Sequence, residues 1–129
     1  MVVVATFDQL DTVIRGQADL MLGSVLGSAV SKPAEVVFGW RTGVRVSDID
    51  SSEKARRIRI PTLVVHGDDD EMVPTASGKA LFDAIPEATE KRWIEVPGAG
   101  HQNVLVTDFP IYATMARWFL ERLGTAPDG

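Results

Sequence analysis

The chain has 129 residues, of which 45% are hydrophobic and 24% are charged, so its size and composition are those of one ordinary globular domain. Its formal net charge of −5 opposes nonspecific attraction to nucleic-acid phosphates and to anionic lipid, which proteins bind with surplus Lys and Arg. No apolar run approaches the ~18 residues of a membrane-spanning helix, and the apolar start lacks the basic flank of a signal peptide. We therefore expect a cytoplasmic protein with no nucleic-acid or membrane partner. The absence of cysteine excludes disulfides and a cysteine nucleophile within these residues.

The first fifty residues predict one strand followed by helical and irregular segments. Residues 2–5 are a short β-branched run, typical of a strand that is buried on both faces. From Leu10 the apolar residues follow helical spacing, and we expect Gly16 to interrupt this helix. Residues 31–50 combine a proline and two glycines with large apolar residues, which predicts a short helix or an irregular excursion.

The rest of the chain alternates helix and strand. Asp50 is expected to cap a brief helix that runs through Arg57. The later predicted elements are a strand at 62–66, a helix at 75–85 with Ala76, Ala80, Leu81 and Ala84 facing inward, a strand at 92–96 and an amphipathic helix at 108–123. Apolar strands that alternate with helices indicate parallel βαβ units. The pattern predicts an α/β fold of three parallel strands with flanking helices.

The expected organisation is one incomplete domain in three parts. These are a strand with a helical, cap-like excursion at 1–50, a βαβα unit at 51–123 and a flexible tail at 124–129.

Two polar loops follow the last two predicted strands. Asp70 lies in the loop after the strand at 62–66, and His101 follows Gly98 and Gly100 after the strand at 92–96. The carboxyl ends of parallel strands meet at one edge of a sheet, so we expect Asp70 and His101 to lie close together. A carboxylate beside a histidine fixes its tautomer and stabilises the imidazolium, which suits a general base.

These residues resemble the α/β-hydrolase family, in its Bem46-like branch. Residues 60–74 are similar to the family's seventh strand and acid loop, whose pattern H-G-x-x-D-x-x-V-P places the catalytic acid at Asp70. Residues 97–101 are similar to the end of the eighth strand and the loop of the catalytic histidine, and residues 2–10 to the sixth strand and its turn. The resemblance implies a partial α/β-hydrolase fold of strands six to eight, with Asp70 as acid, His101 as base and no cofactor.

The family's third catalytic group, the nucleophile, precedes the acid and the histidine along the chain. No serine here lies in a Gly-x-Ser-x-Gly turn after a strand. The resemblance therefore implies the carboxy-terminal part of a serine hydrolase, which cleaves an ester, amide or thioester of a small-molecule acyl substrate through an acyl-enzyme. We expect these residues alone to be inactive, because the nucleophile and the oxyanion hole would lie before the sixth strand.

A rival interpretation is a non-catalytic fragment or an interaction module that completes a partner. The first predicted strand would leave an apolar edge uncovered, and such edges favour pairing with another chain. The alternative thus predicts a homo-oligomer or a complementing chain that binds at this strand.

Individual polar residues also have simpler interpretations. Asp70 is alternatively a helix cap or a solvated turn residue, and His101 a surface loop histidine. His66 is expected to pack or to form hydrogen bonds rather than to catalyse. Ser24 and Ser28 precede the acid, as a nucleophile would, but they lie in a helical pattern and are expected to allow close helix packing. The acidic run at 68–71 is not expected to bind metal, because apolar residues follow where an EF-hand loop has a ligand and a glycine.

Overall fold

The computed structural model describes residues 1–107 and 110–123. Three parallel strands with flanking helices confirm the predicted fold class. The elements in chain order are β1 (Val2–Val4), α1 (Leu10–Thr42), a 3₁₀ turn (Val46–Asp48), α2 (Ser51–Ala55), β2 (Thr62–Gly67), α3 (Thr75–Ala84), β3 (Lys91–Val96), α4 (Val104–Thr107) and α5 (Pro110–Leu123).

The sheet has the order β1-β2-β3, and β2 pairs with a parallel strand on each side. Val64 is the partner of Val3 on β1 and of Trp93 on β3. All six residues of β2 are buried, which explains the apolar run at 63–65 in its middle. Both later strands end at one edge of the sheet, where Gly67 pairs with Val96.

Alternate residues of β2 enter two separate cores. Leu63 and Val65 lie on one face, and Val64 lies on the other, because successive side chains of a strand point to opposite faces. The first core also contains Val96, Ala99, Val104, Ile111 and Trp118, and the second contains Ala55, Leu81 and Ile85. Burial of each large apolar side chain contributes about 1.5–3 kcal/mol, so β2 is the main anchor of the fold.

Helix α1 differs from the sequence-based expectation in two ways. The backbone leaves helical geometry at Gly23 (φ 77°, ψ 156°), a conformation that glycine adopts readily, whereas Gly16 stays helical. Beyond this kink the chain remains helical through Pro33 to Thr42, where the sequence predicted a short helix or an irregular excursion. Gly43 then ends the helix in the left-handed conformation (φ 73°).

The kink brings the two halves of α1 together. A Cβ on Gly27 would lie 2.6 Å from the backbone nitrogen of Asp19, so the absent side chain permits the contact. Many apolar side chains of α1 nevertheless remain exposed. They are Leu20, Met21, Leu22, Val25, Leu26, Val30, Val36, Val37, Phe38 and Trp40. No helix among the described residues combines the length and the apolar character required to cross a bilayer.

The shorter helices also refine the predictions. Asp50 caps α2 as predicted, since its carboxylate accepts from the Glu53 N–H at 2.8 Å, but α2 ends at Ala55 instead of Arg57. The inward face of α3 was predicted correctly at two positions and wrongly at two. Leu81 is buried in the second core and the half-buried Ala84 packs against it, whereas Ala76 and Ala80 are exposed and Ser77 and Gly78 are buried in their place.

The C-terminal helix α5 packs on the first core through Ile111 and Trp118. The Arg122 guanidinium lies 3.3 Å from the centre of the Trp118 ring, and its hydrogen bond with Glu90 raises the pKa of Arg122 above the ordinary value. The predicted helix start at Asp108 and the predicted tail at 124–129 lie outside the described residues.

Candidate functional site

Asp70 lies in the loop that follows β2, and its carboxylate is fixed by the backbone. The side chain is fully buried, and its Oδ1 accepts hydrogen bonds from the N–H groups of Met72 at 3.0 Å and Val73 at 2.8 Å. An aspartate that accepts from residues two and three positions ahead stabilises a tight turn. The turn therefore satisfies Oδ1 and leaves Oδ2 for another partner.

His101 lies in the loop that follows β3. The chain turns at Gly98, whose φ of 67° is the left-handed conformation that glycine adopts without strain. Two residues later the Gly100 N–H donates to the Asn103 side-chain oxygen at 2.6 Å. These two turns shape the loop that carries His101.

The structure brings Asp70 and His101 together, as the sequence predicted. His101 Nδ1 lies 3.0 Å from Asp70 Oδ2, and because the carboxylate accepts, Nδ1 donates. Nε2 on the other side of the ring has no hydrogen-bond partner among the described residues. The His101 side chain retains 31% of its exposure, and it lines an open cleft of about 530 Å³ together with Asp69, Met72 and Asn103. The arrangement presents a proton acceptor to the cleft.

Three consecutive aspartates connect the two loops. Asp68 Oδ1 accepts from the Gly98 N–H at 2.6 Å, and the backbone N–H of Asp69 donates to the Ala99 carbonyl at 3.1 Å. Asp70 adds the contact with His101. The acidic run thus holds the histidine loop in register with the acid loop. No cluster of three or more potential metal ligands occurs within 1–107 and 110–123.

We expect loss of the Asp68 carboxylate to weaken this connection. Asp68→Ala should lower the free energy of unfolding by about 1–2 kcal/mol, because the Gly98 N–H loses a charged acceptor. Asp69→Ala is the matched control. It removes the same charge one residue away but keeps the backbone bond, and its effect should stay within about 0.5 kcal/mol. Urea unfolding of both variants measures the difference, and equal losses would argue against the connection.

His66 is completely buried at the end of β2, which confirms that it packs and forms hydrogen bonds. Its Nε2 lies 2.9 Å from the Val73 carbonyl oxygen and 3.3 Å from Asp70 Oδ2. The ring stacks on Trp93 at a centroid distance of 6.0 Å. A Cβ on Gly78 of α3 would lie 2.9 Å from His66 Cε1, so a larger residue at position 78 would displace the ring.

The candidate serines remain within α1. The Ser28 hydroxyl donates to the Ser24 carbonyl at 2.7 Å, an ordinary side-chain contact within a helix. The structure records no hydrogen bond between either serine and His101.

Three contributions at the site were not anticipated from the sequence. They are the Asp68 bond to Gly98, the Asn103 bond to Gly100 and the contact of Gly78 with His66. Only the Asn103 bond has a local signal, a short polar side chain three residues after a glycine turn. The Asp68 bond joins two separate loops. The Gly78 contact has no such local signal, because it joins residues of different elements.

Comparison with known proteins supports a single family. The family model described as "Serine aminopeptidase, S33" matches residues 40–106, more than half of the chain. The alpha/beta hydrolase domain-containing protein aho-3 of Caenorhabditis elegans is 38% identical over 81 residues, which are 62% of this chain and 24% of that protein. The alpha/beta hydrolase domain-containing protein 17C of Homo sapiens is 37% identical over 73 residues, 57% of this chain and 19% of that protein.

A solved structure shows the same fold at lower identity. Rv0554 from Mycobacterium tuberculosis aligns with a TM-score of 0.58 and 19% identity over 93% of this chain and 56% of that chain. The chain spans a quarter or less of the length of the two curated relatives. The family match includes the acid loop and the histidine loop, and so the chain belongs to the α/β-hydrolase family, in the group described as serine aminopeptidase, S33.

Proposed function

We propose that Asp70 and His101 are the acid and the base of a serine hydrolase that cleaves an ester, amide or thioester through an acyl-enzyme. One observation carries the proposal. His101 Nδ1 lies 3.0 Å from Asp70 Oδ2, and two backbone N–H groups hold the other carboxylate oxygen, Oδ1, in place. Membership of a hydrolase family supports it.

The geometry supports the following role for each group. Asp70 holds His101 with its Nδ1 protonated, so the lone pair of Nε2 faces away from the carboxylate, on the side of the ring that remains exposed. Nε2 accepts the proton of the attacking hydroxyl and later donates it to the leaving group, while Asp70 stabilises the imidazolium in between. The cleft beside His101 provides space for a small acyl substrate.

The nucleophile and the oxyanion-hole donors come from a segment outside these 129 residues. No serine here lies in a nucleophile turn, and the two candidate serines lie in α1. We propose that the 129 residues alone do not hydrolyse the substrate, because loss of a nucleophile removes the covalent route. The missing segment belongs either to the same polypeptide or to a separate chain.

A fluorophosphonate probe tests this proposal in cells that express the protein from its native locus. The probe labels an activated serine, and mass spectrometry then detects peptides of this chain in the captured material. Recovery under denaturing conditions places the serine on the same polypeptide, and recovery under native conditions alone places it on a bound partner. If an Asp70→Asn variant is captured as efficiently as the original chain, or if neither is captured, the triad proposal is wrong.

A second candidate function is that of a module that completes a partner. Among the described strands β1 pairs only with β2, through groups that include the Met1 carbonyl and the Ala5 N–H. Backbone groups of a strand alternate in direction, so those of Val2 and Val4 point away from β2. This apolar edge and the exposed apolar side chains of α1 favour association with a second copy or a complementing chain.

We expect the purified chain to form oligomers at micromolar concentration. Val4→Pro removes an N–H that points away from β2, and it should reduce association while the fold persists. Val3→Pro, the matched control, removes an N–H directed at β2 and should destabilise the sheet instead. Size-exclusion chromatography with light scattering measures association, and circular dichroism measures folding. A stable monomeric original chain would contradict this candidate.

A further inference from the structure

Asp70 is held on its buried side by the second histidine of the chain. His66 Nε2 lies 2.9 Å from the Val73 carbonyl oxygen, and the Val73 N–H donates to Asp70 Oδ1 at 2.8 Å. The His66 ring therefore binds the carbonyl of Val73, and the Asp70 carboxylate binds its N–H. His66 Nε2 also lies 3.3 Å from Asp70 Oδ2, the oxygen that faces His101. A continuous series of polar contacts leads from the fully buried ring to the half-exposed one.

The tautomer of His66 follows from these neighbours. Both oxygens near Nε2 are hydrogen-bond acceptors. An unprotonated Nε2 would be a third acceptor, and its lone pair would face theirs. Nδ1 is buried without a hydrogen-bond partner among the described residues, and it lies against the backbone of Gly78. A proton on Nδ1 would therefore be unpaired, which is costly in a buried site. The surroundings require the proton on Nε2.

The His66 ring is itself held by regular elements. It belongs to β2, stacks on Trp93 of β3 with an interplanar angle of 16°, and contacts Gly78 of α3. A group on three packed elements is held more accurately than one on a loop. His101, in contrast, belongs to a glycine-rich loop and approaches Asp70 from the exposed side. Regular elements thus hold one side of the carboxylate, and a loop holds the other.

We propose that His66 is a positioning residue for Asp70. Its Nε2–H fixes the Val73 carbonyl and faces Asp70 Oδ2, so the acid loop keeps this oxygen directed at His101. The positive end of the N–H dipole also stabilises the carboxylate in a buried, low-dielectric site. The catalytic meaning of this arrangement rests on the proposed function, but its geometry does not.

NMR of this chain tests the first part of the inference, and the two histidines make the spectrum simple. At mildly alkaline pH, where imidazole is neutral, nitrogen shifts should show the Nε2–H tautomer for His66 and the Nδ1–H tautomer for His101. The Nδ1 proton of His101 should give a downfield, slowly exchanging signal because it is bonded to Asp70. An Nδ1–H tautomer at His66 overturns the proposal.

The matched variants His66→Gln and His66→Met test the second part. The two new side chains have similar length and both lose the stack on Trp93, but only glutamine retains an N–H donor near the Nε2 position. The downfield His101 signal should persist in His66→Gln and disappear in His66→Met. If the signal persists in both variants or disappears from both, the proposal is overturned. If neither variant folds, the tautomer of His66 in the original chain decides whether the proposal stands.

These measurements need no nucleophile and no substrate. A negative probe-capture result together with the expected tautomers would refute the hydrolase and leave the positioning of Asp70 intact. The reverse combination, successful probe capture with an Nδ1–H tautomer at His66, would support the triad and refute the positioning role of His66. The two proposals can therefore fail separately.

Discussion

Gly67→Ala is expected to destabilise the protein by about 3 kcal/mol, because the new methyl group meets backbone that has no room to move. A Cβ on Gly67 would lie 2.7 Å from the Ala99 carbonyl carbon and closer still to its oxygen, inside the 3.0 Å that real Cβ atoms keep. Overpacking of this kind commonly costs about 1–3 kcal/mol, and more where no flexible side chain can yield. The loss is a large fraction of the ~5–15 kcal/mol that stabilises a domain.

The same substitution should also separate the two loops of the site. The Ala99 carbonyl accepts from the Asp69 N–H, and His101 follows two residues later. Displacement of Ala99 therefore lengthens the contact between His101 and Asp70, and the downfield proton of His101 should be lost even where the variant remains folded.

Gly16→Ala is the matched control for Gly67→Ala. A Cβ on Gly16 meets nothing within 4 Å, and the residue lies inside α1, where alanine stabilises a helix by about 0.5–1 kcal/mol relative to glycine. Thermal and urea unfolding should move in opposite directions for the two variants. If Gly67→Ala were as stable as the original chain, the close approach of the loops would be wrong.

The strands were predictable from the sequence to within a residue because their signal is local and strong. β2 is buried on both faces, so its apolar run reports its environment directly. The kink of α1 was not predictable in the same way. Both Gly16 and Gly23 interrupt the helical pattern, and only tertiary contact decides which of them bends, here the approach of Gly27 to Asp19.

The juxtaposition of Asp70 and His101 was predictable because strand order alone brings their loops to one edge of the sheet. The inward face of α3 was predictable only at Leu81 and Ala84. Helical spacing placed Ala76 and Ala80 inward, but the His66 ring occupies the space above β2 and requires Gly78 beneath it. A side chain on another strand thus determined which small residue faces the sheet, and no periodicity within α3 contains that information.

On the proposed function, Asp70→Asn should reduce the turnover of the active species by about 10⁴-fold, the loss that the wrong histidine tautomer causes in a serine protease. The Met72 and Val73 N–H groups will retain the amide oxygen at the Oδ1 position, which directs the amide NH₂ at His101 Nδ1. Nδ1 must then accept, the ring proton moves to Nε2, and Nε2 can no longer take a proton from a nucleophile. The effect should fall on kcat with little change in KM, because Asp70 is buried and does not contact the cleft.

Asp83→Asn provides the control for this substitution, since Asp83 lies exposed on α3 and forms only an ion pair with Lys79 at 3.5 Å. It should leave kcat unchanged.

Asp70→Asn should also lower stability, because the same NH₂ group faces the Nε2–H of His66 and two donors then oppose each other at 3.3 Å. The stability losses of Asp70→Asn and His66→Met should be less than additive in the double variant, because the second substitution removes the opposed donor, and turnover should not recover. Such a result would show that two separate effects follow from Asp70→Asn. The opposed donors at His66 would account for part of the lost stability, and the changed tautomer of His101 would account for the lost activity.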